Sequence, residues 1–186
     1  LETQINRSAI REHDPQKVAL PFLIRSVGAN YSRTRLETRY LGDLLFIWGN
    51  RFSFDRQKLA SIGLEAETII STSSRSWSFD WKGGWLPLEI LTPQEDHILG
   101  KQDLVTSFRG KFNPIKFSEN ENGRTQILID GEAQKESTLM LIGSSEMFKN
   151  NYLYADGFQH DQFLLNAIAN MAYGTELGEL QARRPT

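Results

Sequence analysis

Large apolar residues gather in a few short runs, separated by stretches dense in Gly, Pro, Asn and Ser. VALPFLIR (18–25) is apolar but carries Pro21, which predicts an edge strand or extended segment, since proline gives no N–H to a ladder. YLGDLLFIWGN (40–50) is the densest apolar run and stops at the turn signal Gly49-Asn50. In FSFDRQKLASIGL, Ser53 or Asp55 caps a short helix, Leu59 and Ile62 stand three apart, and Gly63 suits the residue just past its end. LEAETIISTS (64–73) alternates like a strand. SSRSWSFDWKGGWLPLEILTPQ (73–94) reads as a long loop. LVTSFRGKF (104–112) and TQILIDG (125–131) read as strands, joined by a long, mobile, turn-rich connection. STLMLIG (137–143) is the last strand, expected to be central in its sheet. From Gln159 to Gly174, Phe163, Leu164, Ala167, Ile168 and Met171 recur at helical spacing, and Gly174 is expected to end that helix.

This order mixes strands with helices, so the predicted class is α/β or α+β. Residues 1–17 show no period and are expected to be loosely ordered. Residues 18–174 form a single α/β domain, β-rich with long loops over 64–131, and 175–186 form a polar tail. No internal repeat is visible.

The chain has 186 residues, enough for one domain with a core. Hydrophobic residues make up 39% and charged residues 24%, a globular composition rather than a disordered one. The formal net charge of −2 argues against a nucleic-acid partner, which asks for a basic face. No run approaches the roughly 18 apolar residues of a membrane span. The opening LETQINRSAI has neither the basic start nor the apolar stretch of a secretion signal, and a first residue of Leu is expected of a segment cut from a longer protein. Cysteine is absent, which removes thiolate catalysis and cysteine-based metal sites. His13, His97 and His160 are scattered without a ligand spacing, so no metal and no cofactor is expected.

The run TLMLIGSSEMFKNN (138–151) poses the sharpest chemical question, because its strand stops at Gly143. The loop lacks the second glycine and the lysine of a phosphate loop, and the spaced glycines of a dinucleotide fingerprint. Ser145 stands where a nucleophile elbow places its serine, but Met147 occupies the position of the second glycine. A serine hydrolase would use Ser144 or Ser145, with His160 or His97 as base. The plainer reading is a turn in which Ser144 or Ser145 caps a short helix, at the carboxyl end of a strand where open α/β sheets bind ligands. Trp77, Trp81 and Trp85 lie beside Gly83 and Gly84. They either cover a core, mark a protein interface, or stack on sugars as a carbohydrate-binding module does.

Taken together, three segments resemble one family. GNRFSFDRQKLASIGLEAETIISTSSRSW, DLVTSFRGKF and LMLIGSSEMFKNNYL followed by DQFLLNAIANMAYG are similar, in order, to the auxiliary domain of GldG-type ABC transport systems, named for gliding motility. The matching positions include Thr72, Ser73, Ser76 and Trp77, then Leu104, Val105, Gly110, Lys111 and Phe112. They continue with Gly143, Ser145, Glu146, Phe148, Asn151, Leu153, Phe163, Leu164 and Asn166. LQARRP resembles the stretch before that family's next membrane helix. Ser144 departs from the family, which has an acidic residue there.

The resemblance spans most of residues 40–185. It implies a Rossmann-like, glutamine-amidotransferase-like mixed sheet, here partial, with an inserted β-rich segment. It implies a non-catalytic accessory domain on the extracytoplasmic (periplasmic) side of a bacterial inner membrane, anchored by helices outside residues 1–186. An ABC permease and its ATPase are the implied partners. The family offers no catalytic residues to carry over. Contact surfaces are expected at Trp77, Trp81 and Trp85 and at the turn Gly143, Ser144, Ser145 and Glu146.

Overall fold

A short antiparallel pair opens the chain: β1, Glu2–Ile5, and β2, Gln16–Ala19, with Glu2 opposite Ala19 and Ile5 opposite Gln16. The computed structural model describes residues 2–5, 16–20, 22–86, 88–91, 95–119, 125–129, 131 and 135–182. His13 and most of the segment 1–17, expected to be loosely ordered, lie outside these, as do Arg183 and Arg184.

The apolar stretch around Pro21 divides into two strands rather than one, β2 and β3, Leu23–Ser26. β3 pairs antiparallel with β4, Leu44–Ile47, placing Leu23 opposite Ile47 and Ser26 opposite Leu44. Helix α1, Arg56–Ser61, begins where Asp55 accepts the Lys58 N–H at 3.0 Å and ends before Gly63, whose φ of +76° is the left-handed conformation that glycine adopts without steric cost. Strands β5, Leu64–Ser71, β6, Asp103–Lys111, and β9, Glu136–Ile142, form one sheet in the order β5-β6-β9. Strands β7, Ile115–Glu119, and β8, Thr125–Ile129, form an antiparallel pair. Helices α2, Asn150–Leu153, and α3, His160–Ala182, close the chain.

The architecture is mixed α/β with few helices, and β1–β2, β3–β4 and β7–β8 are all antiparallel. A Rossmann-like sheet needs parallel strands joined by helical crossovers. The short connection between β7 and β8 permits only the hairpin direction.

Two compact units are distinguished, one of Leu1–Ser53, Thr68–Val105 and Ile142–Thr186, the other of Phe54–Glu67 and Thr106–Leu141. In the first, all four residues of β4 are buried, with Ile69, Ile70, Leu104, Val105, Met147, Phe163 and Ala167. In the second, the ring of Phe54 meets Phe108 edge-on at 5.1 Å, and Arg56 lies over Phe54.

Four expectations change. β9 ends its sheet order instead of lying at its centre; Glu136–Leu139 are exposed, whereas β6 is buried through Leu104–Phe108. The connection expected to be mobile contains β7, since Ile115 and Phe117 alternate with Lys116 and Ser118 in the strand period. Helix α3 runs past Gly174 to Ala182, so much of the expected tail is helical. Gly174 and Gly178 each cost a helix only about 1 kcal/mol, and Glu176, Leu177, Glu179, Leu180 and Gln181 favour continuation. The buried side of α3 is His160, Phe163 and Ala167, while Ile168 and Met171 lie exposed.

Candidate functional site

The turn after β9 is shaped by backbone proximity. The Gly143 N–H donates to the Leu104 carbonyl at 2.8 Å, and its carbonyl accepts the Asn50 N–H at 2.6 Å. A Cβ built on Gly143 would overlap the Asn50 carbonyl oxygen, so glycine is required for two stretches of main chain to pass. The buried Ser144 hydroxyl donates to the Ile47 carbonyl at 2.7 Å. Ser145 is exposed and makes no capping bond, because its ψ of −25° is already helical whereas a capping residue takes the β region. Glu146 pairs with Lys149 at 2.6 Å, one turn along. Neither serine caps a helix: α2 follows Lys149, which also makes no side-chain cap.

His160 is fully buried. Its Nε2 accepts the Leu45 N–H at 2.9 Å, and its Nδ1–H donates to the Tyr152 carbonyl at 2.7 Å. Burial depresses its pKa, against opposing contributions from those bonds and from Asp161, and holds the ring neutral. Leu45 and Ile47 are two apart on β4, so their polar groups face one side of the strand. His160 and Ser144 therefore satisfy the same edge of β4. A serine nucleophile needs its base to take the hydroxyl proton. Here the Ser144 proton goes to a carbonyl and the only acceptor nitrogen of His160 goes to an amide. His97 is exposed, beside Asp96.

Further along the first unit lies a cleft of about 980 Å³, lined by Trp77 and Trp81 but not Trp85, which is 99% exposed. Its most distinctive side chain is one that sequence reading missed. Trp48 has a φ of +51°, the only non-glycine in the left-handed region among the described residues. A bulky residue there is strained, and such strain gathers at binding sites. The conformation is held by the Trp48 N–H donating to the Phe22 carbonyl at 2.6 Å. It is also held by ring stacking, with Phe22 at 4.8 Å and Trp81 at 5.3 Å from the Trp48 ring. Trp77 is fixed by its Nε1–H on the Ile90 carbonyl at 2.8 Å. The signal available in the sequence was the Gly49-Asn50 turn directly after Trp48. Nothing about the apolar run before it distinguished this tryptophan from a core residue.

Three arginines line the cleft. Arg25 is paired with Asp43 through Nε at 2.8 Å, and Arg75 with Glu95 at 2.8 Å. Arg51 instead donates to the Ser78 hydroxyl and the Gln102 side-chain carbonyl, each at 3.2 Å. The arrangement offers an aromatic shelf, hydroxyl groups and a held guanidinium. Such groups can hold and orient a ligand.

Among the described residues no group of three or more His, Asp or Glu side chains is placed to hold a metal ion. No described helix is long and apolar enough to cross a membrane. Comparison with known proteins gives no match: no family model fits the chain, no curated protein resembles it in sequence, and no solved structure resembles it in fold.

Proposed function

We propose that this chain is a non-catalytic binding domain of a membrane-anchored accessory component of an ABC-type transport system, working by contact at the cleft that contains Trp48 and Trp81. The observation that carries the binding role is the strained Trp48 inside an aromatic stack on an open cleft. The engagement of Ser144 and His160 with the backbone of β4 favours it over a hydrolase. The transport setting rests on the ordered resemblance to the GldG-type auxiliary domain across residues 40–185. In that setting the chain is the second half of a Rossmann-like domain, and β7–β8 belongs to its inserted β-rich segment. The domain stands on the periplasmic side of the inner membrane beside a permease and its ATPase, held by helices outside this chain, with no nucleic-acid partner.

Affinity purification of the whole protein from gently solubilised native membranes tests this. A multi-span permease and a Walker A ATPase should be recovered in amounts comparable to the bait. Recovery of the protein without either, or from the soluble fraction, would remove the transport setting.

A further inference from the structure

The cleft also indicates what kind of molecule it takes, an inference that rests on the cleft being the working surface of the domain. Two features occur together there. One is the flat ring of Trp81, which is 54% exposed and stacked on Trp48, itself stacked on Phe22. The other is the charge of Arg51. Asp43 neutralises Arg25 and Glu95 neutralises Arg75, while Lys82 and Asp80 bring one charge of each sign to the same lining. Among the described residues, Arg51 has neutral partners only. Those two bonds fix its Nε and Nη1 and leave Nη2 free to donate, so the guanidinium is oriented before any ligand arrives. A held guanidinium binds a carboxylate more strongly than a neutral group, and with directional preference.

An aromatic face next to serine hydroxyls suits a pyranose ring, which presents C–H groups on its face and hydroxyls on its edge. The held arginine adds a demand for negative charge. We propose that the cleft binds an acidic saccharide, with a sugar ring on Trp81 and its carboxylate on Arg51. A neutral glycan would leave Arg51 unused, and a purely protein partner would have no need of a shelf open to a single ring.

Calorimetric titration of the purified chain at low salt, with tetragalacturonate, a hyaluronan tetrasaccharide and neutral cellotetraose, tests this. At least one acidic probe should bind saturably and more tightly than cellotetraose. Arg51→Ala should weaken the acidic probe about tenfold and leave cellotetraose unchanged. Trp81→Ala should weaken both classes, and Trp85→Ala, outside the cleft, neither. Circular dichroism and melting of each variant establish that it is folded. If cellotetraose binds as tightly, or Arg51→Ala has no effect, the acidic class is wrong and the cleft remains a binding site. If no saccharide binds but recovery of the permease depends on Trp81, the ligand is protein and the saccharide is excluded. If no saccharide binds and recovery is indifferent to Trp81 and Arg51, both this inference and the cleft's role fall.

Discussion

The imidazole Nε2 of His160, at the first turn of α3, accepts the backbone N–H of Leu45 in β4 at 2.9 Å. A residue that sequence alone offers as a catalytic base is thus a structural acceptor, and only its neutral form does this work. The folded-state pKa lies below the unfolded value of about 6.5, so the unfolded chain takes up the proton first as pH falls. Stability from this group is present above about pH 6.5 and is lost as pH drops toward the folded pKa. Urea midpoints at pH 7.5 and 5.0 should show this decline. His160→Gln, which keeps an acceptor but does not titrate, should be less stable by about 1–2 kcal/mol at pH 7.5 and should flatten the decline. Equal slopes in both proteins would show that His160 carries none of it.

Gly143 passes too close to Asn50 for any side chain. Gly143→Ala should therefore cost about 3 kcal/mol or prevent folding. Gly28→Ala, where a Cβ would meet nothing, should change stability by less than about 0.5 kcal/mol. Thermal melts compare the two directly.

Ser144 and Ser145 are adjacent but not equivalent. Removing the Ser144 hydroxyl leaves the Ile47 carbonyl without that partner, so Ser144→Ala should cost about 1–2 kcal/mol. Ser145→Ala, exposed and without a capping bond, should stay within about 0.5 kcal/mol. Neither serine should take up a fluorophosphonate label. A stoichiometric adduct on either would restore the hydrolase reading.

Glu37 is completely buried and ties two segments together. It accepts from Arg35 Nη2 at 2.7 Å and from Asn170 Nδ2 of α3 at 2.7 Å, while its backbone carbonyl takes Asn166 Nδ2 at 3.3 Å. Glu37→Ala should cost about 3 kcal/mol, because partly buried donors lose their acceptor. Asn170→Ala should cost about 1 kcal/mol, and the double variant less than the two together. Strict additivity would mean that the Glu37–Asn170 bond contributes nothing.

Local signals were legible where local chemistry decides. Gly63 marked the end of α1 and Asp55 was one of two caps offered for its start, with Ser53, while the alternation of 64–73 marked β5. Long-range relations were not. The left-handed turn at Trp48 depends on Phe22 and Trp81, each far away in sequence. The edge position of β9 depends on which strand it meets. Gly143 reads equally as a ligand loop or as a crossing of two chain segments. Its purpose becomes visible only when Asn50 and Leu104 are placed beside it. Of the proposed contact residues, Trp77 and Trp81 both line the cleft and Trp85 does not, while Ser144 serves β4 and Ser145 is exposed without a capping bond.

Oxidative footprinting of tryptophan most directly tests whether the cleft is the working surface. It would be read by mass spectrometry on the isolated chain and on the same protein in native membranes. In isolation both Trp81 and Trp85 should oxidise readily, being 54% and 99% exposed. In native membranes Trp81 should be protected while Trp85 continues to react. Equal oxidation of Trp81 in both settings would contradict a role for the cleft in the assembled system.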